Sequence, residues 1–366
     1  MTNIPLVDLA AQHRQVADEV AAGWAQVLER TAFVNGPAVA AFEREYAEYL
    51  GVRHCVGVAS GTDAIELALR AAGIGAGDEC VLPANTFVAT AEAVVRAGAA
   101  PVLVDCEPDT GLIDPAAVGA AVGSRTRAVL PVHLYGQAAA VERLRPVAGD
   151  ALIVEDAAQS QGALRHGVPT GSLGDIAATS FFPGKNLGAY GDAGAVMTDD
   201  DDLADAVRLL RDHGSPRRYE HVVLGFNSRL DTLQAVVLSA KLRRLDGWND
   251  DRRKAAERYH DLLSGLPDVR RPVVAEGNDP VWHLYPVLVP ERDRVLSVLH
   301  DAGIGAGIHY PTPVHLTGTF AHLGLPAGSY PNAEQRARHQ LSLPIFPEIT
   351  AAQQERVVEV LAGALR

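Results

Sequence analysis

Between residues 54 and 198 short, strand-like apolar runs alternate with amphipathic helical stretches, and this rhythm limits the possible folds more than any other feature of the chain. "HCVGVAS" has the apolar character of a strand, and "TDAIELALRAAG" spaces its apolar residues three and four apart before closing on glycine, as a helix does. "ECVLP", "FVATAEAVVRAG" and "APVLVD" repeat strand, helix and strand, and "RAVLPVHLYG", "ALIVEDAAQS", "IAATSFF" and "AGAVMT" continue the series. Strands written as unbroken apolar runs are buried on both faces, so the pattern predicts a mostly parallel sheet between layers of helices. "RLDTLQAVVLSAKLRRLDGWNDDRRKAAERYHDLLSG" then reads as a long helical stretch bent or broken near Gly247. From about Leu266 the chain is richer in proline and carries fewer strands. The organisation predicted is a large domain over residues 1–245, which includes the N-terminal segment, and a smaller C-terminal domain over 246–366.

Composition removes several classes of function. A formal net charge of −13 gives no general electrostatic drive toward nucleic acid or an anionic membrane. No apolar run approaches the roughly 20 residues of a membrane span, and "MTNIPLVDLAAQHRQ" has neither the basic start nor the apolar centre of a signal peptide, so a soluble, cytoplasmic protein is expected. Cys55, Cys80 and Cys106 are odd in number and far apart, which predicts buried reduced thiols; no metal site is expected, since neither they nor the 13 histidines fall in a metal-ligand spacing.

In sheets of this kind ligands gather beyond the carboxyl ends of the strands, and the polar motifs fall there. "ASGTDAIEL" ends a strand with Ser60-Gly61-Thr62 and begins a helix, so its N–H groups and helix dipole can receive a phosphate, although Thr62 also reads as an ordinary N-cap. Asp156 in "LIVEDAAQS" follows an apolar run, where an acid caps a turn, binds a metal or pairs with a cation. Lys185 lies in a glycine-punctuated bend of "SFFPGKNLGAYGDAG", which opens on Ser180. Alone it reads as a solvated surface lysine. Together, a phosphate nest, an acid and a lysine at one sheet edge suit pyridoxal 5′-phosphate: the acid keeps the pyridine nitrogen protonated and the amine binds the aldehyde.

"SGTDAIELAL", "PANTFVATAEAV", "VEDAAQSQGA", "SFFPGKNLGAYGDAGAV" and "GFNSRLDTLQAVVLSAKL" closely resemble, in order, the motifs of the DegT/DnrJ/EryC1/StrS family of sugar aminotransferases, and the likeness runs from about residue 4 to the C-terminus. The resemblance implies an α/β protein of the fold-type I pyridoxal-phosphate class, with a mostly parallel seven-stranded sheet between helices and a smaller C-terminal α+β domain. It implies a Schiff base between the cofactor and Lys185, the pyridinium partner on Asp156, phosphate contacts from Gly61, Thr62 and Ser180, Phe87 stacked on the cofactor ring, and Gln159 beside its hydroxyl edge. It further implies a homodimer in which Asn227 reaches the cofactor phosphate of the other subunit. In a dehydratase branch of the family the motif lysine is histidine; here it is lysine, which retains the group that moves protons in transamination.

For the substrate, the resemblance implies that the amine of L-glutamate passes to a nucleotide-linked keto sugar in deoxyaminosugar biosynthesis. "IPLVDLAAQHRQV", "IHYPTPVHL" and "LSLPIFPEIT" are most similar to the branch that aminates the third carbon of dTDP-3-keto-6-deoxyhexoses. Amination at the fourth carbon remains open, as do elimination or racemisation on the same cofactor and, last, a non-catalytic protein on this fold. His309 and Tyr310 sit in a proline-stiffened loop that can face the sugar, with a packing role equally open for His309. Phe182 offers shape without a hydrogen bond. Arg229, and less so Arg217 and Arg218, can anchor a diphosphate.

Overall fold

The computed structural model describes residues 3–366. Strands β1 (His54–Val58), β2 (Glu79–Pro83), β3 (Ala100–Val104), β4 (Thr126–Val129) and β5 (Leu152–Asp156) are followed by a small hairpin of β6 (Leu164–Arg165) and β7 (Val168–Pro169), then by β8 (Ile176–Ser180) and β9 (Gly194–Thr198). Seven of them form one sheet in the order β1-β9-β8-β5-β4-β2-β3. The run from β3 to β8 is parallel throughout, and β9 is antiparallel to both its neighbours. The exception has a local cause: β8 and β9 are joined by the bend 181–193 alone, without the crossover helix that parallel neighbours require.

The sheet is apolar because it is covered on both faces. Cys80, Val81, Leu82, Ile153, Val154 and Val196 are fully buried, and every residue from Ala64 to Leu69 of the helix Gly61–Ala71 is buried against the sheet and its neighbouring helix. All three cysteines are free and buried, and burial pushes the thiols of Cys80 and Cys106 up to about 12.

The long helical stretch divides into Thr232–Leu242 and Leu245–Leu262. The break falls at Arg243–Arg244, and Gly247 lies inside the second helix. Arg244 makes the break: its guanidinium donates to Ala240 O at 3.0 Å and to Glu19 at 3.0 Å, taking up a carbonyl that the helix would otherwise leave unpaired. Beyond it, β10 (Asn278–Asp279) pairs with β6, and β11 (Tyr285–Leu288) pairs antiparallel with β12 (Gln340–Leu343). The helices Arg292–Asp301 and Ala351–Ala364 pack with this pair around Tyr285, Val287, Leu341 and Val357. Ile4 is buried in the same cluster, with its N bonded to Gly303 O and its O to Gly305 N, so the N-terminal segment crosses onto the C-terminal core. No helix of the described residues is long and apolar enough to cross a membrane.

Candidate active site

The bend 181–193 closes on itself through Lys185 N to Phe182 O (2.8 Å), Ala189 N to Phe181 O (2.7 Å) and Phe181 N to Ala193 O (2.8 Å). Leu187 is fully buried among Phe42, Phe181 and Leu238, a burial that contributes about 1.5–3 kcal/mol. Three contacts fix the bend from outside: Lys241 Nζ donates to Gly188 O at 2.6 Å, Tyr190 N donates to Gln234 Oε1 at 2.8 Å, and Asn186 Nδ2 donates to Asn249 Oδ1 and Val281 O at 2.8 and 2.9 Å. Gly188 is required, since a Cβ there would stand 2.3 Å from Pro183 O. The backbone of Lys185 is therefore over-determined, and its side chain lines a cavity of about 500 Å³. The amine is deep in the protein yet open to that cavity. Burial pushes its pKa down to about 8, against the opposing pull of Asp156.

Asp156 ends β5 and also lines the cavity. Its Oδ1 accepts Ala158 N at 3.1 Å, the turn-capping role open to a strand-end aspartate, and its Oδ2 accepts the Thr90 hydroxyl at 2.7 Å. The two bonds fix the plane of the carboxyl group. Gln159 is held from two sides: its Oε1 accepts Tyr135 N at 2.6 Å and its Nε2 donates to Tyr310 Oη at 3.0 Å.

At the third strand end, Ser60 rather than Thr62 caps the helix Gly61–Ala71, its Oγ accepting Asp63 N at 3.1 Å. The Thr62 hydroxyl is left free on the cavity wall, and neither Gly61 N nor Thr62 N donates to an oxygen among the described residues. Gly61 lies so close to β8 that a Cβ would come within 2.5 Å of Ser180 Cβ. Two unpaired N–H groups at the start of a helix, with the Ser180 and Thr62 hydroxyls beside them, form an anion cradle that a larger residue at 61 would fill.

Opposite stand the exposed Phe87, at the N-cap of the helix Val88–Ala97, and Phe182, whose N donates to Ser180 Oγ at 3.3 Å. The Phe87 ring lies 5.1 Å from that of Tyr310, tilted by 39°. The His309 carbonyl accepts Tyr135 Oη at 2.7 Å and Gln340 Nε2, and its ring bonds Ser342 Oγ at 3.0 Å. Burial and the nearby Lys185 push the imidazole down to about 4, and burial pushes the Tyr310 hydroxyl up. His309 is thus both a packed histidine and part of the cavity wall.

Lys185, Asp156, Gly61, Thr62, Ser180, Phe87, Gln159, Phe182, His309 and Tyr310 meet at this cavity; Asn227 and Arg229 do not line it. Asn227 is exposed, and Arg229 pairs with Asp212 at 3.0 Å. Their loop is nonetheless tied to the cradle, for Ser228 Oγ accepts Ala59 N and donates to Asp63. Sequence reasoning passed over Thr90, His283, Leu6 and Val7, all of which line the cavity. Thr86, just before the helix Val88–Ala97, and Thr90 in its first turn are hydrogen-bonded at 2.8 Å, and the pair carried a readable signal in "NTFVAT". The other three arrive through tertiary packing.

The cavity fits pyridoxal phosphate on its own terms: a buried amine with no partner among the described residues, an acid fixed in orientation by two hydrogen bonds, an anion cradle and an aromatic wall. Comparisons with known proteins agree. The dTDP-3-amino-3,4,6-trideoxy-α-D-glucose transaminase of Streptomyces venezuelae is 46% identical over 360 residues, covering 98% of this chain and 95% of that protein. The UDP-N-acetyl-3-dehydro-α-D-glucosamine 3-aminotransferase of Acidithiobacillus ferrooxidans is 44% identical over 366 residues, 100% of this chain and 98% of its own. The crystal structure of S. venezuelae DesV superposes with a TM-score of 0.97 at 45% identity over the whole of both chains. Residues 14–362 match the DegT/DnrJ/EryC1/StrS aminotransferase family, and the chain belongs to that family as a pyridoxal-phosphate-dependent aminotransferase of the fold-type I class.

Proposed function

We propose that the protein transfers the amino group of L-glutamate to the third carbon of a dTDP-linked 3-keto-6-deoxyhexose, with Lys185 as the cofactor-bearing lysine and acid–base. The observation that carries the substrate is the likeness to the S. venezuelae dTDP-3-amino-sugar transaminase, over nearly the full length of both chains. Bound at Lys185, pyridoxal phosphate supplies an electrophilic carbon for the amine and a protonated ring that accepts the electron pair of the cleaved C–H bond. Asp156, oriented by Thr90 and Ala158 N, holds the ring nitrogen protonated. Gly61 N, Thr62 and Ser180 would hold the phosphate, and Phe87 and Gln159, the latter tethered to Tyr310, would hold the ring. Lys185 Nζ takes the proton from the amine-bearing carbon of glutamate and, in the second half, returns one to the sugar carbon. Phe182, His309 and Tyr310 form the sugar-facing wall.

Charge supports a second copy in the site. Lys185 is the only lysine or arginine lining the cavity among the described residues, and the cofactor engages it, while the sugar carries a diphosphate and glutamate two carboxylates. Asn227 and Arg229 of a homodimeric partner supply the missing donors, Asn227 to the cofactor phosphate and Arg229 to the substrate. A UDP-linked sugar is the second reading, favoured by the A. ferrooxidans relative. The test is to incubate the loaded enzyme with glutamate and either keto sugar, follow 2-oxoglutarate, and locate the new amine by NMR. An amine on the third carbon of the dTDP sugar is expected; an amine on the fourth carbon, or turnover of the UDP sugar alone, overturns the assignment.

A further inference from the structure

Asn227 is exposed and does not line the cavity of its own chain, yet the residues on either side of it are seated on the helix Gly61–Ala71, whose first turn is the anion cradle. Ser228 is buried, and its Oγ accepts Ala59 N at 3.2 Å and donates to Asp63 Oδ2 at 2.8 Å. A backbone N–H only donates, so the hydroxyl proton must point at the carboxylate and the orientation of Ser228 is fixed. Two turns further along the same helix, the Arg70 guanidinium lies over the Phe226 ring, 5.0 Å from its centroid. The backbone of the segment is held separately by the end of the helix Asp201–Arg211, through Phe226 N to Leu210 O at 2.7 Å and Ser228 N to Arg211 O at 2.9 Å.

Asp63 holds this arrangement at a place where a bare negative charge would repel a phosphate. Its N–H is capped by Ser60 Oγ at 3.1 Å, and its Oδ1 accepts Arg96 at 3.1 Å, which offsets the charge beside the cradle. One oxygen thus takes Arg96 and the other takes Ser228. A carboxylate can accept both donors, whereas an amide of the same shape would turn its own N–H group toward one of them.

We propose that Asp63 and Ser228 are positioning residues for Asn227: they mount it on the cradle helix of its own subunit, so that the helix receiving a phosphate in one site carries the asparagine of the other site. This rests on the homodimer in which Asn227 reaches the cofactor phosphate of a second copy. The two cradles are then joined through one hydroxyl in each chain.

The test isolates the phosphate. Full-length protein stripped of cofactor is titrated with pyridoxal phosphate and with pyridoxal, which lacks the phosphate, and the ratio of the two dissociation constants measures what the phosphate contributes. Asn227→Ala should lower that ratio by about tenfold, the scale of losing a hydrogen bond to a charged group. Asp63→Asn, which preserves shape, and Ser228→Ala should each lower it by about threefold, the scale of one neutral hydrogen bond, and leave the affinity for pyridoxal unchanged. Combined with N227A, D63N should cause no further loss, because it acts through the residue already removed. An unmoved ratio in D63N, or a D63N loss that multiplies with that of N227A and so belongs to its own subunit's cradle, overturns the proposal alone. An unmoved ratio in N227A, or a monomer in sedimentation, overturns the role of Asn227 and the proposal with it.

Discussion

Two loops flank the same end of the sheet and are built in opposite ways. The bend 181–193 buries Leu187 and Ala189 completely and is bonded from three directions. The loop 213–230 instead leaves Tyr219 81%, Val222 57% and Leu224 89% exposed, and its tie to the cradle runs through Ser228. The first loop is complete within one chain. The second displays apolar side chains and Asn227, and neither Asn227 nor the Asp212-paired Arg229 lines the Lys185 cavity of its own chain. One loop is therefore fixed by contacts within its own chain, and the other is the loop that the proposed homodimer would place in the site of a second copy.

The largest effect should come from emptying the Lys185 half. Lys185→Ala should reduce turnover by more than about a thousandfold, since it removes both the covalent tether and the acid–base. Borohydride reduction and peptide mapping should find the cofactor on Lys185 in wild type and on no lysine in the variant. Asp156→Asn should retain cofactor and lose about 10²–10³-fold in kcat, the scale of one misplaced electrostatic group. Near-normal turnover would reduce Asp156 to the cap of its turn.

The contrast between the loops is sharpened by one matched pair. Leu187→Ala should cost about 2–5 kcal/mol of stability because it opens a cavity in a closed core. Leu224→Ala should stay within about 0.5 kcal/mol for the subunit's own fold and should weaken self-association in sedimentation. Equal unfolding costs would show that the loops do not differ as described. The smallest catalytic effect belongs to Thr90→Val, which frees one oxygen of Asp156 and should lower kcat by roughly tenfold, the loss of about 1.4 kcal/mol, with KM for glutamate unchanged.

How far the molecule was legible in its sequence follows from the range of each interaction. The seven strands were visible because a sheet buried on both faces writes apolar runs into the chain. Asp156 and Lys185 were visible because a charged residue at the end of such a run stands out. Thr62 reads both as a phosphate contact and as a cap, because either hydroxyl of Ser60 and Thr62 satisfies the local pattern; Ser60 takes the cap and leaves the Thr62 hydroxyl on the cavity wall. The helix break shifted from Gly247 to Arg244 because a guanidinium reaching Glu19 across the fold is invisible to local propensity. His283 was silent for the same reason: its ring is placed on the cavity wall by contacts through Asn186 and Asn249, which are far apart in the chain.

If each site joins the Lys185 half of one subunit to the Asn227 half of another, as proposed, mixing an inactive Lys185→Ala protein with an inactive or cofactor-weak Asn227→Ala protein rebuilds it. Lys185→Ala and Asn227→Ala subunits, dissociated and reassociated at equal concentration, should regain roughly a quarter of wild-type activity, because half the dimers are mixed and each mixed dimer has one intact site of two. Mixed dimers that form, as seen by native mass spectrometry, and yet remain inactive would contradict it.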